Sequence, residues 1–139
     1  MAFLLDTCVL SEPRKPQPDA GVLSWLEACD PDELFISAIS LGELAQGIAL
    51  LEDGRRKRGF TDWLNKELLP SFGARVITLD ATVAQVWGNI AARARRAGRS
   101  SATADAQIAA CALAHGMTLV TCNVPHFHAF GVKLLNPWT

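Results

Sequence analysis

Beyond Asp80 the chain all but runs out of acids. From residue 81 to the C-terminus at 139, Asp105 is the only Asp or Glu. Bases are missing from much of the same stretch, with no Lys or Arg between Arg99 and Lys133. Cysteine is sparse: Cys8, Cys29, Cys111 and Cys122 form no CxxC and no zinc-like pairing. That excludes a zinc-knuckle framework. It predicts free thiols, three of them buried in apolar surroundings, in a reduced, cytoplasmic compartment. The opening residues, Met1 to Asp6, carry no basic stretch and meet an acid at once, so no secretory leader is expected. Residues 106–132 lack all charged side chains except His, but Gly116, Asn123, Pro125 and three His interrupt the run. No membrane span is expected there. No repeat, low-complexity tract or linker divides the chain, which predicts one domain over residues 1–139.

What is present suits a packed core. Half of the residues are hydrophobic, including four Trp and six Phe. The formal net charge is only −1, but it is unevenly spread. Residues 1–54 hold ten acids against two bases, and residues 55–99 hold ten bases against three acids. An acidic region beside a basic one fits a metal-dependent enzyme acting on a polyanion, or simply two solvated faces.

The hydrophobic pattern predicts strands at 3–5, 34–37, 75–78, 118–121 and 132–135. It predicts helices at 22–29, 41–51, 81–97 and 103–115, and a basic amphipathic stretch from Arg55 to Leu69. Asp6–Thr7 should lead from the first strand into a loop, and Pro13–Pro18 should be a second loop. Gly98 and Gly116 should end the last two helices. Short apolar strands alternating with helices imply an α/β fold with a parallel sheet.

In open parallel sheets, ligands bind beyond the carboxyl ends of the strands. Asp6 ends the first strand. Glu43 follows the second by six residues, in the first turn of its expected helix. Asp105 opens the helix before the fourth strand, and Asn123 lies just past that strand. Four oxygen-bearing side chains thus converge on one edge, and hard oxygen donors of this kind select Mg²⁺ or Mn²⁺. At helical spacing the neighbours of Asp105 are Ile108, Ala109 and Ala112, so its face points to the core. A buried carboxylate needs compensation, and no base nearby in sequence provides it.

Each acid also has a purely structural explanation. Asp6 suits a cap or turn. Ser40-Leu41-Gly42-Glu43 matches a capping box. Asp105 complements a helix dipole. Arg93, Arg95, Arg96 and Arg99 lead toward Asp105 and either steer a polyanion or form a solvated face. Arg99, nearest to Asp105, is the candidate substrate contact. Arg55–Arg58 reads as a solvated helix start. Trp25, Trp63, Trp87 and Trp138 read as core or dimer anchors. His126 and His128 lack a third ligand for zinc.

In their order along the chain, these residues resemble the PIN-domain family, and in particular the VapC/FitB-type toxins of bacterial toxin–antitoxin pairs. The matching stretches run from Leu4 to Glu12, from Ile36 to Leu44 with Gly47, from Ala104 to Ala110, and from Leu119 to Phe127. Asn136-Pro137-Trp138 also looks like the FitB branch. The resemblance implies a PIN-like three-layer sandwich with a central, mostly parallel five-stranded sheet flanked by helices. It implies a metal-dependent endoribonuclease in which Asp6, Glu43 and Asp105 hold Mg²⁺ or Mn²⁺. Thr121 matches a supporting hydroxyl, and Asn123 a position that is often a fourth acid. A homodimer neutralised by a small DNA-binding antitoxin is implied as well. Cys8 stands where the family usually has Asn, and His126 where an acid is common. The Cys8 and Asn123 departures give a second reading, a weakly or non-catalytic module that acts with a DNA-binding antitoxin on an operator. A phosphatase or DNA nuclease on the same scaffold is a third.

Overall fold

The computed structural model describes residues 1–139. Strand β1 (Phe3–Leu5) turns at Asp6 straight into a short helix α1 (Thr7–Ser11) and a 3₁₀ turn at Glu12–Arg14. The loop expected after Asp6 is therefore a helix: the Asp6 carboxylate accepts the Thr7 N–H and caps it. Helix α2 (Ala20–Ala28) begins two residues before the expected start because Asp19 caps it through the Val22 N–H. Strand β2 (Leu34–Ser37) lies where the sequence places it.

Helix α3 (Ala38–Ala49) starts three residues earlier than expected, since Ser37 rather than Ser40 is its cap and accepts the Ser40 N–H. The basic stretch forms α4 (Arg55–Asp62), then a π-helical segment at Trp63–Leu68, then α5 (Leu69–Phe72). The Leu69 N–H reaches back five residues to the Leu64 carbonyl. Pro70 lies inside the last turn, where it cannot bond to Lys66 and crowds that carbonyl, so the turn widens upstream of it.

Strand β3 (Val76–Ile77) and helix α6 (Ala81–Arg96) follow, then α7 (Thr103–Ala114) and β4 (Thr118–Val120). A short helix α8 (Val124–Phe127), absent from the sequence reading, precedes a 3₁₀ turn and strand β5 (Leu134–Leu135). Gly98 (φ 73°) and Gly116 (φ 65°) end α6 and α7 in left-handed conformation.

The sheet order is β3-β2-β1-β4-β5 and every pairing is parallel. The expectation of a mostly parallel sheet becomes an all-parallel one. Alternation along the strands feeds two cores. Leu4 and Leu119 pack under α6 and α7 with Ile90, Ile108, Phe127 and Phe130. Leu5, Ile36 and Val120 face the other side, against Val9, Leu44, Leu64, Leu68 and Phe72. Both faces of the sheet are covered, which makes the three layers of an α/β sandwich.

Helix α7 is buried nearly all round, with Ala106, Ala109, Ala110 and Ala112 almost without exposure. Small residues there let α6 lie close against it. No helix is long and apolar enough to cross a membrane.

The chain leaves β3 and returns to the opposite side of β1 to form β4. That reversal opens a crevice beyond the carboxyl ends of β1 and β4, where doubly wound sheets bind ligands. Asp6 and Thr121 are the first residues past those two strands.

Candidate active site

Asp6 is fixed by three groups. Its backbone N–H continues the β1–β4 ladder onto the Val120 carbonyl at 3.0 Å. Its Oδ1 accepts the Thr7 N–H at 2.8 Å, and its Oδ2 accepts the Thr121 hydroxyl at 2.7 Å. Thr121 is fully buried and also accepts the Asn123 N–H at 3.0 Å. The cap expected as an alternative to function is thus real, and it leaves the carboxylate in the crevice.

Glu43 does not cap its helix, contrary to the capping-box reading. With α3 starting at Ala38, it lies in the second turn, and its Oε1 accepts the Thr7 hydroxyl at 3.0 Å. Thr7 therefore ties two acids together, its N–H on Asp6 and its hydroxyl on Glu43. The sequence reading did not single Thr7 out. A Thr directly after a strand-end Asp, opening a helix, is the local signal that marks it.

Asp105 lies in the first turn of α7 as expected. It is half-buried rather than sealed in the core, and it has a partner that the local sequence does not supply. His126 Nδ1 lies 3.8 Å from its Oδ2. That partner arrives from α8, 21 residues away in sequence.

The three acids act on one another electrostatically. Burial pushes the Glu43 carboxyl above its ordinary range; Thr7 pulls it back, and the charges of Asp6 and Asp105 push it up again. Burial likewise raises Asp105, His126 lowers it, and the Asp6 charge raises it. Desolvation and mutual repulsion at one sheet edge are what a divalent cation relieves. No three His, Cys, Asp or Glu side chains lie close enough to form a ready-made metal cage. An arrangement this open could hold a divalent cation only through one or two carboxylates, with waters completing its shell.

Asn123 is exposed, and its side chain caps nothing. Its hydrogen bonds run through the backbone: its N–H donates to the Thr121 hydroxyl and its carbonyl accepts the His126 N–H. Arg99 is exposed and borders a cavity of about 580 Å³ that also touches Asp105 and His126. Cys8 fills the space beside Asp6. Its Sγ is 3.9 Å from Asp6 Oδ2 and accepts the Cys122 N–H at 3.3 Å. Burial lifts this thiol to about 12, so it stays protonated at neutral pH.

All four cysteines are free, but only Cys111 is buried; Cys8, Cys29 and Cys122 are partly exposed. The expectation of three buried thiols gives way because Cys8 lies in the first turn of α1, Cys29 ends α2 and Cys122 follows β4, each partly open to solvent. Glu12, also unforeseen, is 3% exposed. Its Oε2 accepts the Asp19 N–H at 2.9 Å and its Oε1 lies 2.9 Å from the Lys15 ammonium. The Asp19 N–H and then Lys15 hold its carboxyl below the usual range.

Comparison with known proteins places the chain in a family. The PIN domain pattern matches residues 3–129. The chain is 43% identical to plasmid stability protein StbB of Pseudomonas syringae pv. tomato, over 98% of each chain. It is 38% identical to toxin FitB of Neisseria gonorrhoeae, over 98% of each. It is 37% identical to VapC ribonuclease Y4jK of Sinorhizobium fredii, covering 98% of this chain and 97% of that one. Its fold superposes on the structure of FitAB bound to an IR36 DNA fragment with a TM-score of 0.92 at 37% identity, covering 99% of this chain and 96% of that one. The chain belongs to the PIN-domain family.

Proposed function

We propose that this protein is the toxin of a type II toxin–antitoxin pair, an endoribonuclease that hydrolyses RNA phosphodiesters with Mg²⁺ or Mn²⁺ held by Asp6, Glu43 and Asp105. The observation that carries the reading is the Thr7 bridge that holds the Asp6 and Glu43 carboxylates together at the crevice beyond β1, with Asp105 in the first turn of α7 coupled to both. The identity to a VapC ribonuclease and to toxin FitB supports the substrate and the biological class.

When bound, the cation supplies Lewis-acid stabilisation of charge on the phosphoryl oxygens. The chain's own residues do the rest. Thr121 and Thr7 orient the two oxygens of Asp6, and Thr7 holds Glu43 beside it. An acid of the site is placed to take a proton from an attacking water. Asn123 presents a neutral amide at the rim, and Arg99 offers a cation to the RNA backbone.

The identity to FitB, whose complex FitAB is seen on DNA, supports a DNA-binding antitoxin as partner. We place the protein in the cytoplasm as a homodimer, with residues 1–139 forming one PIN domain. The weak thiol contact of Cys8 with Asp6 keeps a second reading in play, a module with little cleavage of its own that acts with the antitoxin on operator DNA.

The deciding experiment is cleavage of a mixed cellular RNA pool by purified protein with Mg²⁺, Mn²⁺ or EDTA, beside Asp105→Asn. Discrete, metal-requiring cleavage that the variant lacks is expected. A folded, antitoxin-free protein that cleaves nothing with either metal would favour the regulatory module.

A further inference from the structure

The loop joining α6 to α7 carries two open cavities that the three acids do not explain. The first, about 580 Å³, touches Asp105 and is walled by Arg99, Ser100, Ser101 and His126. The second, about 370 Å³, is walled by Trp87, Arg95 and the same Arg99, Ser100 and Ser101. Residues 99–101 are thus a ridge with a cavity on either side, one opening toward the acid site and the other away from it. Both volumes fall in the range that accepts one small ligand, roughly 300–1,000 Å³.

We propose that these two cavities bind successive nucleotides of a single-stranded RNA that leaves the acid site across the 99–101 ridge. This rests on the ribonuclease reading above and names the path of its substrate.

Charge and surface chemistry agree on that occupant. Arg95 and Arg99 are exposed, and Asp105 is the sole acid in either wall. Two cations flanking a ridge of two serine hydroxyls suit a phosphodiester backbone and its 2′-hydroxyls. The half-buried Trp87 is held by the α6–α7 core while lining the outer cavity. An indole anchored in that way offers a flat platform for one unpaired base. Paired bases, already stacked in a duplex, cannot use it. Pro125 and Ala129 give the inner cavity an apolar floor for a second base.

The test measures binding without cleavage. In Asp6→Asn protein, a labelled single-stranded oligoribonucleotide is titrated by fluorescence anisotropy across a range of salt. Arg95→Ala and Arg99→Ala should each weaken binding and reduce the slope of log affinity against log salt by about 0.7, the value for one phosphate on a single strand. Trp87→Leu, which keeps an apolar side chain in the core, should weaken binding about tenfold while leaving the salt slope unchanged. Affinity and slope unaltered in both Arg variants would overturn the proposal, and so would a duplex binding as tightly as the single strand.

The cleavage arm separates the two claims. If Asp105→Asn, made in otherwise unchanged protein, still cuts RNA, the acid-site reading falls while the binding path stands. If cleavage is lost but the Arg and Trp variants bind RNA normally, only the path falls.

Discussion

The Thr121 hydroxyl donates to Asp6 Oδ2 across 2.7 Å, and both side chains are buried. This bond joins the ends of β1 and β4 and sets the direction in which the Asp6 carboxylate faces. Thr121→Val keeps the shape and removes the donor. It also leaves the Asn123 N–H without its acceptor. Loss of such a supporting partner costs about 10–100-fold in metal affinity or activity. Thr121→Ser, which restores the hydroxyl, should recover most of that loss. Calorimetric titration with Mn²⁺ beside RNA cleavage rates reads both, and a Val variant as active as wild type removes Thr121 from the site.

The close packing of α6 against α7 makes a stability prediction that does not involve the site. Ala109 has no exposure and belongs to the core that α7 shares with the sheet and α6. Ala109→Leu adds three carbons where no space exists and should cost about 1–3 kcal/mol. Thermal unfolding should show this as a Tm several degrees lower. An unchanged Tm would mean that the two helices separate more easily than their packing indicates.

The α/β class and the carboxyl-edge position of the acids were readable from sequence because both depend on strong local signals. β2 shows this best: Leu34-Phe35-Ile36-Ser37 is a short apolar run after Pro31, and its limits are those expected. Where the reading failed, two local signals competed or none was long enough. Ser37 and Ser40 both look like caps for one helix. The pattern favoured Ser40 because Glu43 follows it, yet the chain uses Ser37, and Glu43 is freed to face Thr7. Helices α1 and α8 have five and four residues, too few for a 3.6-residue period to register. The Asp105–His126 pair and the Cys8–Cys122 contact join segments far apart in sequence, which no local pattern reports.

Cys8 carries a chemical prediction. Burial holds its thiol at about 12, and Cys111 is held at about 11 by the same cause. Thiolate is the species that alkylates. Native protein treated with iodoacetamide at pH 8 should therefore leave Cys8 and Cys111 unmodified until denaturant is added. Peptide mass mapping identifies the labelled positions, and rapid modification of Cys8 in folded protein would show that its thiol is not held protonated beside Asp6. Cys8→Asn places a stronger donor near Asp6 Oδ2 and should preserve or raise cleavage.

The raised proton affinities of Glu43 and Asp105 fix how stability should depend on pH. Both carboxyls lie above their ordinary range, chiefly through burial. Over that window the native protein binds more protons than the unfolded chain, so its stability falls as pH rises. The contribution of these groups is full below their unfolded values, near pH 4, and is lost as pH climbs through the raised native values. The double variant Glu43→Gln, Asp105→Asn lacks both charges. In EDTA it should melt higher than wild type at pH 7.5, and the gap should close toward pH 4. A divalent cation that binds the native acids alone raises the wild-type Tm by mass action, so Mg²⁺ or Mn²⁺ should narrow the gap at pH 7.5 and leave the variant unmoved. Differential scanning fluorimetry at several pH values, with EDTA and with each metal, measures all of this. A gap of the opposite sign at neutral pH, or one independent of pH, would show that these two carboxylates are not held at the expense of the fold.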